Sequence, residues 1–298
     1  MGQYFQWNPS REAFVFFSYP VYWYSLWFAL GFFGAVLITR YLIKKRAQTF
    51  SFSSKELPLI EQFTDRLTIF LFIGMLLGAR LGHILFYDFS YYWDHPFQIF
   101  NLRAGGLSSH GGVVGLCTSL WLFNTKDWKY PFLPKGWDLL DIITIGAAWA
   151  ACCIRIGNFF NQEIVGIPTT LPWGILFGAP EYGGIARHPV QLYEALSAIF
   201  LLCFLLFIGK KWQWTAKGLL TGWFLVLLFS TRVALEFLKT AQCEFDTTGI
   251  HMGQLLSLPI IGWGLFLIIT RVYGAKSKEQ NEPYLTKISR TDCQHDER

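Results

Sequence analysis

Five short stretches of this 298-residue sequence set polar or ionisable side chains inside apolar runs. RIGNFFNQEIVG carries Arg155, Asn158, Asn161 and Glu163, and RHPVQLYE carries Arg187, His188 and Glu194. STRVALEFLK carries Arg232 and Glu236, and GARLGHILFY carries Arg80 and His83. GGLSSHGG sets His110 between Gly105, Gly106, Gly111 and Gly112. Arg155 and Asn158 are three residues apart and share a helix face, as do Arg80 and His83. Arg232 and Glu236 are four apart, which permits an ion pair within one helix. Guanidinium forks grip phosphate bidentately and stay charged. A histidine among glycines can meet a ligand closely, as a base or as a donor to phosphate. Each group also has a plain structural use. Arg80 suits bonding to backbone as well as to a ligand, Glu194 suits pairing with an arginine of another helix, and a buried Arg232–Glu236 pair suits packing.

The elements that must position these groups are membrane spans. Hydrophobic residues make up 53% of the chain, aromatics 18% and charged residues 15%, against about 25% charged in soluble domains. One soluble core cannot hide that much apolar surface. Disordered and collagen-like classes are excluded by the same composition. Apolar stretches fall at 20–43, 67–89, 107–124, 138–159, 190–209, 218–238 and 253–273. The third and fourth are the least regular, being short or rich in glycine. Every second connection is basic: Arg40, Lys44, Lys45, Arg46 and Lys55; then Lys126, Lys129 and Lys135; then Lys210, Lys211 and Lys217; then Arg271, Lys276 and Lys278. The others hold one cation each, Arg103, Arg187 and Lys239. The positive-inside rule then predicts seven spans, N-terminus outside and C-terminus cytoplasmic.

The expected organisation is an all-α polytopic membrane protein. It has an N-terminal outer segment at 1–19, a seven-span catalytic domain at 20–273 with an outer loop at 160–189, and a polar cytoplasmic tail at 274–298. The N-terminus lacks an early basic region and a small-residue cleavage site, so the first span is expected to remain. The net charge of +5 belongs to this topology and not to nucleic acid. No internal repeat is visible, which weighs against a transporter. The six cysteines, Cys117, Cys152, Cys153, Cys203, Cys243 and Cys293, show no zinc spacing and read as small apolar residues. No metal or nucleotide motif appears. Charges at the outer half of a membrane are costly and functional by default. The phosphate available at that depth is a lipid head group.

At these residues the chain resembles the prolipoprotein diacylglyceryl transferases. That family's signature, Gly-Arg-x-Gly-Asn-Phe-x-Asn-x-Glu-x-x-Gly, is met by Arg155, Gly157, Asn158, Phe159, Asn161, Glu163 and Gly166, with Ile154 where the family has glycine. The resemblance continues through WYSL with Tyr24, GARLG, the glycines around His110, RHPVQLYE, RVALE and HMGQLLSLP, in the family's order over roughly 20–273. It implies a bacterial inner-membrane enzyme with its active site on the periplasmic side. Such an enzyme moves the diacylglyceryl group of phosphatidylglycerol onto the lipobox cysteine of a prolipoprotein signal peptide, and glycerol phosphate leaves. It implies His110, Arg155, Arg232 and Glu236 as catalytic residues. Arg155, Asn158, Glu163, Tyr24, Arg80 and Arg232 would bind the lipid, and Gly111, Gly157, Asn161, Arg187 and Glu194 would support the site.

The chemistry fits the residues. A free thiol has a pKa of about 8.5, so a base or a positive field must help it ionise, and His110 is the family's favoured base. Arg155 and Arg232 can stabilise the departing phosphate without a metal. The rival classes are a transporter or flippase of an anionic lipid, which intramembrane Arg and His would serve equally, and a phospholipid-using transferase with another acceptor. No cofactor is called for. Transfer measured with and without EDTA is expected to run at the same rate; inhibition reversed by one added metal ion would contradict this reading.

Overall fold

The structure, a computed structural model, describes residues 4–50, 54–101, 105–126, 130, 132–211, 216–240, 254–255 and 257–273. Long apolar runs have no polar face to give to water, and in lipid a helix satisfies its own backbone. The main helices are α1 (Trp23–Ala47), α2 (Leu57–Phe86), α3 (Phe89–Asp94), α4 (Ser109–Asn124), α5 (Trp137–Phe160), α6 (Val190–Lys211), α7 (Leu219–Glu236) and α8 (Ser257–Tyr273). Five of them, α1, α2, α5, α6 and α7, are long and apolar enough to cross a membrane. Large side chains on them face outward, including Leu77, Leu81 and Leu85 of α2 and Leu196, Phe200 and Phe207 of α6. Apolar surface of that extent calls for lipid and not water.

The boundaries depart from the sequence expectation where local chemistry intervenes. α1 starts at Trp23 because Tyr19–Tyr22 is spent on a strand. α2 starts about ten residues earlier than the hydropathy suggests, with a proline in its first turn. α4 is only 16 residues long: the chain passes Gly105 and Gly106 at φ +82° and +78°, and Ser108 then caps the helix by accepting from the Gly111 N–H. The tail at 274–298, with Cys293, lies outside the described residues, as do Cys243 and His251.

The chain divides into two compact units, Met1–Thr39 with Trp137–Arg298, and Arg40–Gly136. Arg40–Gly136 is an insertion between the halves of the other unit. It is built on α2 against α4 through glycine. A Cβ at Gly78 would strike the Gly111 carbonyl oxygen and Gly115 backbone, and one at Gly82 would strike Gly111 Cα. Phe63 and Phe123 close this packing edge to face, 5.1 Å between centroids.

In the larger unit, α5 packs against α6 and α7. Buried Asp141 of α5 caps α7, accepting from the Gly218 N–H (2.6 Å), the Thr221 N–H (2.8 Å) and the Thr221 hydroxyl (2.6 Å). At the other end of α5 lie four short strands beside the helical fold. β1 (Phe5–Trp7) pairs in parallel with β4 (Ile175–Phe177), and β2 (Glu12–Phe16) forms a hairpin with β3 (Tyr19–Tyr22). Trp7 stacks on Phe159 (4.6 Å) and donates its indole N–H to the Phe159 carbonyl (3.0 Å). The N-terminal segment is thus a strap over the end of α5.

Gly78→Val is expected to lower stability by about 1–3 kcal/mol through overpacking, whereas Gly262→Ala, where a Cβ meets nothing within 4 Å, stays within about 1 kcal/mol. Thermal unfolding in one detergent checks both; equal midpoints would contradict the close helix approach.

Candidate active site

The signature folds as the end of α5. Helix residues Arg155, Gly157 and Asn158 occupy its last turns, and the chain then reverses through a left-handed cap. Gln162 has φ +56°, the Gln162 N–H donates to the Phe159 carbonyl (3.2 Å), and the Glu163 N–H reaches back to the Asn158 carbonyl (3.1 Å). These are the two bonds of a Schellman turn, with Gln162 where glycine is usual. Ile164 also has positive φ, +58°, so Glu163 stands between two strained residues. The cap is fastened from outside. Gln162 accepts the Ala179 N–H (2.9 Å), and its carbonyl accepts the Tyr182 hydroxyl (2.6 Å). Burial pushes the Tyr182 phenol up, with Glu181 adding to the effect, so it stays a donor. Ile154, in place of the family glycine, leaves α5 unbroken.

Four charged side chains, from α5, α6, α7 and the turn after α7, meet beside this cap. Arg155 Nε lies 3.0 Å from Glu194 Oε2 of α6. Lys239 Nζ lies 3.0 Å from Glu194 Oε1 and 3.0 Å from Glu236 Oε2. Lys239, Glu194 and Glu236 are buried, while Arg155 keeps 24% of its side chain exposed. Two cations against two carboxylates make the cluster neutral, which is the condition for burying it. The Arg155–Glu194 contact is an ion pair without hydrogen-bond alignment; Glu194 Oε2 has no hydrogen-bond donor. The Arg155 Nη1 group makes one long bond, 3.4 Å to Asn158 Oδ1. Among the described residues the rest of its donors have no hydrogen-bond partner.

Loop backbone brings these residues together. Gly166 N–H donates to His188 O (3.0 Å), Ile167 N–H to Leu238 O (2.9 Å), and Ile175 and Arg187 exchange bonds of 3.0 and 2.9 Å. Gly166 has to be glycine, since a Cβ there would stand 2.6–2.8 Å from His188 and Leu238. Arg187 donates to the Gly166 carbonyl (3.2 Å) and lies over the Tyr182 ring (5.3 Å). Gln191, fully buried at the start of α6, donates to the Glu163 carbonyl (2.7 Å). Asn161 donates to the Glu163 carboxylate (2.6 Å). Asn161, Gln162, Glu163 and Tyr182 line an open polar cleft of about 340 Å³ with Arg11 and Glu181. Tyr24 seats against Gly157, where a Cβ would come 3.0 Å from its ring.

Arg155, Asn158, Asn161, Glu163, Arg187, Glu194 and Glu236 therefore gather at one end of the larger unit. Arg232 belongs to that unit but is exposed, and the ion pair its spacing allowed with Glu236 is not formed. α7 ends at Glu236, the chain turns, and Lys239 folds back onto that carboxylate. Lys239 is the residue that sequence reasoning missed. It stood out only as the lone cation of its connection, and its two partners are visible only after folding. His110, Gly111, Arg80 and His83 belong to the other unit. His110 is exposed as the second residue of α4, and His83 pairs with Asp88 (2.9 Å). Arg80 donates to five backbone carbonyls, those of Ile99, Gly105, Gly106, Gln98 and Asn101. Among the described residues no group of three or more His, Cys, Asp and Glu is placed to hold a metal.

Apolar helices with a buried, charge-balanced cluster at one end define a multi-pass membrane protein with a polar site at that end. The sequence model of the prolipoprotein diacylglyceryl transferases matches residues 11–270, and the chain belongs to that family. Proteins named phosphatidylglycerol–prolipoprotein diacylglyceryl transferase are similar to it along most of their length. That of Porphyromonas gingivalis is 36% identical over 280 residues, 89% of this chain and 94% of its own. Those of Chloroherpeton thalassium and Tolumonas auensis are 36% and 38% identical, covering 92% and 88% of this chain and 97% and 96% of their own.

Lys239→Met would leave two buried carboxylates facing each other. It is expected to cost about 3–5 kcal/mol and Lys239→Arg much less, read as thermal unfolding midpoints; equal midpoints for the Met variant and wild type would contradict the bridging role.

Proposed function

We infer that this chain transfers the diacylglyceryl group of phosphatidylglycerol to the lipobox cysteine of prolipoproteins. The sulfur forms a thioether to the glyceryl carbon, the bond from that carbon to the phosphate oxygen breaks, and glycerol phosphate leaves with the electron pair. The observation that carries this reading is Arg155. It is anchored through Nε to a buried carboxylate and bonds Asn158, on the last turns of α5 just before the cap residues Asn161, Gln162 and Glu163 that line the polar cleft. A preorganised guanidinium there stabilises charge growing on a phosphate.

The other roles follow from chemistry and family membership. His110 takes the thiol proton. Exposed Arg232 supplies a second cation to the phosphate. Glu194, Glu236 and Lys239 hold Arg155 and the loop around it, and Arg187 and Gln191 hold the cap. Tyr24, Asn158, Asn161 and Glu163 contact the lipid head group, with Gly111, Gly157 and Gly166 allowing close backbone approach. The topology is seven spans, α4 and α8 joining the five longer helices. The N-terminus is periplasmic and the tail cytoplasmic, in the inner membrane, so that the polar cleft faces the periplasm. Both substrates are membrane-borne, the acyl chains staying in lipid and the signal peptide bringing its cysteine to the same depth. No cofactor takes part.

Purified protein, phosphatidylglycerol labelled in its diacylglycerol portion and a synthetic lipobox peptide are expected to give a labelled thioether by mass spectrometry, and none from a Cys→Ser peptide. No thioether, alongside an active relative, would overturn the reading. Arg155→Ala and Arg232→Ala are expected to abolish transfer in inserted protein, and His110→Asn to slow it strongly; a near-normal rate in any of them removes that residue from its role.

A further inference from the structure

Arg80 is 4% exposed within α2, and a guanidinium has five N–H donors. All five are in use. Nε donates to Ile99 O (2.8 Å), Nη1 to Gly105 O (2.7 Å) and Gly106 O (3.1 Å), and Nη2 to Gln98 O (2.6 Å) and Asn101 O (3.1 Å). The Tyr92 ring covers the guanidinium at 4.9 Å. No donor is left for a phosphate. The carbonyls come from both sides of 102–104, so one side chain ties the two ends of this connection to α2. Gly105 and Gly106 bring their carbonyls to it from left-handed backbone, and a Cβ at Gly106 would stand 2.6–2.8 Å from His83 and Arg80 Nη1. Two residues later the Ser108 N–H bonds the carbonyl of Ala79, the neighbour of Arg80 (2.9 Å), and Ser108 caps α4. His110 is the second residue of that helix.

We infer that Arg80 is a positioning residue that sets where α4 begins and hence where His110 stands, and is not a ligand of the lipid phosphate. This rests on His110 serving the proposed transfer. The clamp explains why a guanidinium is needed. Lysine has three donors on one point and cannot reach five carbonyls spread along two segments.

The test uses the full-length protein in detergent. Amide exchange over 98–101 and 105–112 is measured with kcat and KM for phosphatidylglycerol, in Arg80→Ala, Arg80→Lys, Gly106→Ala, His110→Asn and Arg80→Ala/His110→Asn. Arg80→Ala is expected to raise exchange in both segments and to lower kcat on the order of 10²-fold, as a misplacement of ~1 Å can, with KM unchanged. Gly106→Ala shifts both readouts the same way. The double variant is no slower than His110→Asn alone, because Arg80 acts through that residue. A KM raised at unchanged kcat and unchanged exchange would make Arg80 a phosphate ligand and overturn the inference, as would losses that multiply in the double variant. Should Arg80→Ala fail to insert, Arg80→Lys and Gly106→Ala carry the same comparisons. If wild type makes no thioether, the proposed function fails, and exchange alone decides the clamp: unchanged protection overturns it and lost protection supports it.

Discussion

Lys239 is a cation buried between two carboxylates, and the signature-bearing end of the larger unit depends on it. Glu194 comes from the second turn of α6, Glu236 from the last of α7, and Lys239 from the chain just beyond. Each carboxylate alone would cost several kcal/mol to bury, and the cation alone as much. Together they are affordable only in the arrangement found, so the charges fix how these two helix ends meet. Arg155 is the fourth member and the least buried. Its Nε is held by Glu194 while its other nitrogens are nearly free. A cluster that is neutral among itself and exposes one guanidinium edge can take an anion without rebuilding.

The backbone around this cluster is irregular for a physical reason. Helices end here, and their unpaired carbonyl and amide groups need partners. The Schellman turn after α5, the short strands, and the cross-bonds among Gly166, Ile167, Arg187, His188 and Leu238 supply them. Glycine appears where two backbones must nearly touch, at Gly166 beside His188 and Leu238. Gln162 and Ile164 adopt positive φ without being glycine, a strain carried by the contacts that hold Glu163 in place. The Arg40–Gly136 unit repeats the scheme with different parts: glycine-mediated helix packing, a capped helix start and one saturated arginine.

Much of this was legible in the sequence. Hydropathy located the five helices long enough to cross a membrane, because in lipid a single segment satisfies its own backbone and local composition suffices. The signature residues and Glu194 were singled out because charge in an apolar run is costly. What escaped were partners set by folding. The i, i+4 spacing suggested Arg232–Glu236, whereas the turn after α7 gives Glu236 to Lys239. Arg80 read equally as ligand or scaffold, and its bonds to five backbone carbonyls could not be read from spacing. The N-terminal strap was missed because a three-residue strand such as Phe5–Trp7 has too little periodicity to register. The Schellman cap was missed because glycine, its usual mark, is replaced by Gln162.

The proposed transfer requires the buried charge cluster to present Arg155 to the lipid phosphate. Its most direct test is Glu194→Gln, which keeps the shape and removes the charge that anchors both Arg155 and Lys239. Transfer from phosphatidylglycerol to a lipobox peptide, followed by mass spectrometry in protein verified as inserted, is predicted to fall by more than about tenfold, as misplacement of a positioning group does. A rate within about twofold of wild type, where ~1.4 kcal/mol is tenfold, would contradict the account.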